Sequence, residues 1–407
     1  MDVGSVLHAM RDPAGIPAVP VLFQFLMVLT WVFHIAFVNL TLGAAALSVY
    51  AFYVRSDDPH WQRLSIALTK VAKVGVSLLI VLGVAPLLFT QVIYDPQWYA
   101  SNVLSARWAI IFIGSLIVAY CLWFAFYWSN HEGAKRHIGL YAIAALGLFL
   151  MDGLIMHVLS YQSIQPEKWM EWYAPGGVVD TSGSRLHAIE WPRFLFIIAL
   201  SAPAVGIFLV AYSDYFASHA GQPKAYLAFA RGLGRGLGFW GFTAALPLLI
   251  WWHLDLPRQT GLIWQPFGWL MVLAILLVAN VARDERGNVH GYVLVGLGGG
   301  ILAMLAVWRE VVRATYLGSF GYVIYDYTVN VDWPSMFLFF ATLLGVGGLV
   351  GGFFLSLLYR SGKQQGRYQA SSAIARLGTG SVAVLTLWIA VFFVYGASIY
   401  IRNTLVQ

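Results

Sequence analysis

The segment Phe23–Leu47, FQFLMVLTWVFHIAFVNLTLGAAAL, decides the fold class. It exceeds the roughly 20 apolar residues that cross a bilayer core. It also carries a histidine, His34, about 14 residues into its span, roughly 21 Å along a helix axis. Membrane helices rarely hold an ionisable side chain without a use for it. A neutral imidazole at that depth is a natural axial ligand for haem iron. The plainer reading is a histidine hydrogen-bonded to a neighbouring helix.

The rest of the chain shares this character. Of 407 residues, 60% are hydrophobic and 10% charged, against roughly 25% charged in a soluble domain. The single cysteine, Cys121, excludes a C-x-x-C-H haem attachment, a Cys-ligated cluster and an internal disulfide. A redox cofactor held by this chain alone is therefore noncovalent, and haem b is the expected one. The net charge of +6 is expected to report membrane-flanking loops, with no nucleic-acid role.

Apolar runs predict an all-α polytopic transmembrane helical bundle of about ten spans. They lie near 20–53, 66–94, 107–129, 138–161, 192–217, 236–254, 264–282, 290–313, 335–359 and 377–401. Of the 24 Lys and Arg, 15 fall on the face that follows the odd-numbered spans, Arg286 among them, and 9 on the other. The positive-inside rule then places both termini outside the cytoplasm. No cleavable signal pattern is evident. The outer loops are long and rich in Trp and Tyr. Most of these rings read as an interfacial belt, and the loop lengths suggest a docking face for a partner. Glycine runs at Gly347–Gly352 and Gly296–Gly300 predict close helix approach. GLGRGLG, Gly232–Gly238, follows no strand and is not a dinucleotide loop.

Within the opening stretch, Gln24-Phe25, His34 and Asn39-Leu40-Thr41-Leu42-Gly43 resemble the first helix of subunit I of cytochrome bd quinol oxidases. Lys73, Gly83 and Pro192-Arg193-Phe194 fit the same pattern. The resemblance implies a bd-like domain over residues 1–360, with nine family-like spans. Residues 361–407 would then be a cytoplasmic loop and one added C-terminal span. It also implies that His34 is an axial haem ligand and places Met271 within a residue of the family's methionine ligand. The family's glutamates of the second, third and ninth helices are absent here. Its fifth-helix histidine falls near Phe196, and its quinol loop is cut to Asp255–Gly261. Oxygen reduction is therefore not carried over.

Other residues could share the chemistry. His157, near the outer end of the fourth span, is a candidate second haem ligand. Asp152, deeper in that span, is a candidate proton or quinol group, about 140° round the helix from His157. His253 and His187, at outer helix ends, could ligate an outer haem. Arg309 and Arg313 share a helical face beside Glu310, as charges that could neutralise haem propionates, and Glu310 is a further proton-group candidate. Arg107 and Arg193 are similar at lower weight. His8, His60, His131, His137, His219 and His290 read as solvated.

These readings together predict a haem b-binding electron-transfer subunit of a bacterial inner membrane. It would work between the quinone pool and a periplasmic c-type cytochrome or other redox partner, within a hetero-oligomeric complex. The alternative is a haem-free bd-like anchor for a peripheral respiratory complex.

Overall fold

The structure is a computed structural model of the chain. It describes every residue except Met1, Ser56, Glu132, His219, Ala220, 285–288, Gln365, Val406 and Gln407. His219 and Arg286 of the sequence reading lie outside the described residues. The protein is 82% helical, with no strand among the described residues.

The helices are α1 (Val3–Ala9), α2 (Pro20–Val54), α3 (Pro59–Ile93), α4 (Asp95–Leu104), α5 (Ala106–Ser129), α6 (Gly139–Gln162) and α7 (Trp169–Tyr173). After a long loop follow α8 (Trp191–Ala199), α9 (Ser201–Phe216), α10 (Lys224–Asp255), α11 (Pro266–Arg283) and α12 (Gly291–Gly318). The chain ends with α13 (Trp333–Phe340), a wide π-helical turn, α14 (Gly348–Ser361) and α15 (Ser372–Leu405). Counting α8–α9 and α13–α14 as one span each, ten segments are long and apolar enough to cross a membrane. The protein is therefore multi-pass.

Local chemistry explains the helix limits. Pro at the first helical position opens α2, α3 and α11, and Pro334 is second in α13, where the missing N–H costs nothing. The Asp58 side chain caps α3 by accepting from the His60 amide at 2.8 Å. Pro86 and Pro247 sit inside helices, as membrane helices tolerate. Two helices reach further than hydropathy suggests. Polar first turns extend α3 back to Pro59 and α10 back to Lys224, beyond the expected starts at 66 and 236. GLGRGLG lies wholly within α10. There glycine serves contact: a Cβ on Gly206 of α9 would lie 2.6 Å from the Gly234 carbonyl oxygen. The two backbones cross where no side chain fits.

The chain divides into two compact units, the first comprising Met1–Asp214 with Lys224–Val329, and the second Tyr215–Pro223 with Asn330–Gln407. The ninth span packs with the tenth, through Trp388 donating to Thr342 at 2.7 Å and Gly378 meeting the Phe353 ring. The glycine runs also differ from expectation. In the α12 run only Gly298 is closely approached, with a Cβ there falling 2.8 Å from Ile207 of α9, whereas Gly296, Gly299, Gly300, Gly351 and Gly352 would present a Cβ to no atom within 4 Å.

In the first unit, α2 and α3 form the most extensive pair, and α10, α11 and α12 enclose the main apolar core with α8. At one end of the bundle the N-terminal segment lies along the loop after α12. His8 reaches the Gly321 carbonyl at 3.1 Å, Arg11 donates to Val323 at 2.7 Å, and Ile16 donates to Thr328 at 2.9 Å.

Candidate functional site

A buried charged group of the first unit gathers at that same end, where α2, α6, α8, α10 and α12 meet. Three arginines line one recess: Arg193 from α8, and Arg309 and Arg313 from α12. Ser160, Tyr161, Ile164, Trp252 and Val312 complete it, around about 290 Å³ of empty space that includes open solvent. Arg193 and Arg313 are each only 6% exposed.

The α12 sequence WREVVR explains two of the three. A spacing of four puts Arg309 and Arg313 on one face, and Glu310 sits beside them. Glu310 Oε2 lies 3.5 Å from Arg313. Its Oε1 accepts from the Tyr94 hydroxyl at 2.6 Å and from Gln24 Nε2 at 2.9 Å. Gln24 in turn accepts from Tyr325 at 2.8 Å. Burial, and then the Glu310 charge, hold the Tyr94 hydroxyl well above its ordinary pKa, so it remains a neutral donor. Arg313 also packs over the Tyr94 ring, and Arg309 over Trp31 at 4.5 Å from the centroid.

Arg193 is held more loosely, at 3.4 Å from Ser160 Oγ. Among the described residues, the one ion pair formed by these arginines is Arg313–Glu310. Glu190 acts electrostatically on Arg193. Burial, and after it the neighbouring Asp255 carboxylate, push Glu190 up to about 7. At neutral pH Glu190 is thus only half ionised, and the buried group carries an excess of positive charge. Buried charge without a matching partner is costly, so the recess suits an anionic group.

His157 stands beside this recess. Its ring bonds the Glu190 backbone, and its Nε2 is buried with no hydrogen-bond partner. Phe194 meets it edge-on at 5.4 Å and Tyr161 stacks at 6.4 Å. Arg193 and Arg309 both act electrostatically on it, and Arg309 acts also on His34.

His34 of α2 faces α3. Its Nδ1 lies 2.9 Å from the Leu79 carbonyl oxygen. Gly83 makes the room: a Cβ there would come within 2.8 Å of the imidazole Cε1. In both histidines the bond to a backbone carbonyl fixes the tautomer and leaves the Nε2 lone pair, the arrangement common to metal-ligating imidazoles.

The other candidates lie elsewhere. Asp152 accepts a hydrogen bond from Ser115 of α5, and its second oxygen is buried without a partner. Its partners differ from those of His157, as their separation round the helix requires. His253 is enclosed between Trp269 and Trp308, with Nε2 3.0 Å from the Ile263 carbonyl oxygen. Its Nδ1 presses on Gly268, where a Cβ would fall 2.6 Å away. That nitrogen faces backbone, with no space for an iron. His187 stacks on Trp172 at 5.1 Å in the loop before α8, and partial burial lowers its pKa. Met271 lies fully buried in the apolar core with Ile275 and Leu305. Arg107 is exposed at the start of α5, outside the recess.

Sequence reading passed over Tyr94, Tyr161, Glu190 and Trp252. Tyr94 and Tyr161 belong to stretches whose rings read as an interfacial belt, and Trp252 lies within the sixth span, yet Tyr94 and Trp252 are fully buried. The EWPR run, Glu190–Arg193, could have signalled them, since it brackets a helix start with opposite charges.

No protein-family model matches the chain, and no curated protein matches it.

Proposed function

We propose that this chain is an integral membrane electron-transfer subunit that holds haem b near one end of its first unit. One observation carries the reading: a buried imidazole, His157, keeps an unpartnered Nε2 beside three arginines that outnumber their carboxylates. The donor set suits a haem. His157 and His34 each hold one ring nitrogen on a backbone carbonyl and keep the other for a metal. Arg193, Arg309 and Arg313 would hold the propionates bidentately. When bound, the haem supplies one-electron chemistry. The chain's part is to orient the imidazoles and balance the carboxylates. Glu310, fixed by Tyr94 and Gln24, sets the charge beside the arginines. Glu190, raised to about 7, can hold a proton beside Arg193.

The bd-like pattern of the opening helix supports the same reading. By the Lys and Arg bias the recess faces the outside of a bacterial inner membrane, with both termini on that side. Electrons would pass between the quinone pool and a periplasmic c-type cytochrome or other redox subunit of the same complex. Asp152, paired with Ser115, would serve a proton or quinol step away from the recess.

Pyridine haemochrome analysis and a dithionite-reduced spectrum of the purified chain test the proposal. At least one haem b per polypeptide is expected in the wild type, with loss of it in His157→Ala. Full haem occupancy in that variant would remove His157 from the ligand set, and no haem b α-band in wild-type protein made with ample haem would sink the proposal. A second reading, a haem-free anchor for a peripheral complex, is favoured by the recess itself. Its empty space includes open solvent and encloses little more than room for a water molecule, so a macrocycle at His157 would require Tyr161 and Phe194 to move.

A further inference from the structure

The opposite end of the first unit holds a second cleft, unrelated to the histidines above. It opens between the end of α2, the start of α3 and the loop leading into α6. Its empty space is about 570 Å³. The floor is apolar, with Ala51, Phe52 and Ile66, and the walls are donor-bearing, with Gln62, Asn130, His131 and Arg136.

We propose that this cleft binds a phosphate ester, in the form of an anionic lipid headgroup. Three features converge on that chemistry. First, Arg136 stands in the wall with its guanidinium over the Tyr53 ring, and spends one N–H on the Tyr53 carbonyl oxygen at 3.4 Å. Its planar fork carries five donors and suits phosphate oxygens. Tyr53 is itself seated against Gly139, where a Cβ would lie 2.6 Å from the ring, so the arginine has a rigid support. Second, the short 3-10 turn Arg136–Ile138 leads directly into α6. Arg136 therefore stands just before the N-terminal, positive end of the α6 dipole. Third, the wall behind is built. Asn130 is 8% exposed and fixed by donating to Ser65 at 3.2 Å and Thr69 at 2.8 Å. Its neighbours cannot collapse into the space without breaking those bonds.

The apolar floor selects an amphiphile. Phe52 lies near the end of α2 and Ile66 near the start of α3, so acyl chains attached to the headgroup would run along the apolar spans beyond them. Basic clefts between membrane helices are a recurrent way to hold anionic lipids. The loop 130–137 carries Lys135 and Arg136 against Glu132, the last outside the described residues.

Native mass spectrometry of the full detergent-purified chain tests this, with phosphatidylglycerol, phosphatidylcholine and inorganic phosphate as probes. One phosphatidylglycerol should be retained in preference to phosphatidylcholine. Arg136→Gln should weaken it about fivefold, the worth of one basic contact near a membrane surface, and Arg136→Lys less. Gln62→Leu, at an exposed wall position, gives an independent loss should Arg136→Gln fold poorly. Phosphatidylglycerol binding undisturbed by millimolar inorganic phosphate identifies the lipid as the source. Binding of inorganic phosphate alone, lost in Arg136→Gln, keeps the phosphate site and assigns it to a free anion. Equal retention of both lipids, or phosphatidylglycerol binding unchanged in Arg136→Gln and Gln62→Leu, overturns the proposal.

Discussion

Two buried polar groups in the first unit invite comparison, because they solve the same problem differently. Ser48, Ser65, Thr69 and Asn130 join α2, α3 and the end of α5. All are neutral, and Ser48 and Thr69 approach at 2.7 Å with Asn130 donating to Thr69 at 2.8 Å. Trp123 adds a bond to the Thr69 carbonyl at 3.3 Å. Among the described residues, none of these four side chains leaves a buried atom unpartnered. The arginine recess is the reverse. It holds three cations, one directly paired carboxylate and an orphaned imidazole nitrogen. A satisfied network is structural glue. A network left short of partners costs stability that a bound ligand can return. The difference explains why the second group, and not the first, is assigned chemistry.

The largest expected effect breaks the charged group. Glu310→Ala removes the carboxylate paired with Arg313 and strips acceptors from Tyr94 and Gln24. Breaking a buried pair from one side costs about 3–5 kcal/mol, read as lost thermal stability of the purified protein. A loss under about 1 kcal/mol would show that the arginines do not depend on Glu310. Thr69→Val should cost less, about 1–3 kcal/mol, the penalty for leaving buried donors unsatisfied. Combined with Ser48→Ala, it should fall short of additivity because the two hydroxyls share one bond; strict additivity would mean that the knot does not act as a unit.

Met271→Leu preserves volume in the core, so a change below about 1.5 kcal/mol is expected, with the optical spectrum unaltered. A displaced α-band would restore methionine to the ligand set. The subtlest effect is a slope. Glu190 is raised from 4.5 to about 7, so its protonated form is favoured in the folded protein. The stability it contributes is complete below pH 4.5 and is lost as pH rises through about 7. Glu190→Gln should flatten that part of the stability–pH curve and gain on the wild type above pH 7. Parallel curves for the two proteins would remove Glu190 from the group.

The arrangement of the recess was partly legible beforehand. The i, i+4 spacing placed Arg309 and Arg313 together without any tertiary information, and the cost of burying charge marked Asp152 as paired. Arg193, Glu190 and Tyr94 enter from helices distant in sequence, so no local pattern could join them to α12. Aromatic residues misled the reading most. A Trp near a helix end fits equally well at a lipid interface or in the core, and only packing separates Trp252, enclosed, from Trp264, exposed. Likewise His34, His157 and His253 look alike as single histidines in apolar runs. Their second partners distinguish them: Leu79, Glu190 and Ile263 supply the carbonyls, and Gly83 and Gly268 the spaces.

The sequence by itself determined the class of protein and the number of segments long and apolar enough to cross a membrane. Those follow from the transfer of apolar residues out of water and from backbone groups that must pair within each span, both properties of single segments. The tertiary structure alone decided which polar atoms are paired, that the ninth span belongs with the tenth, and that His157 keeps a free nitrogen beside the arginines. Pairing is a property of two helices at once, and the identity of the second helix is written in no single stretch of the chain.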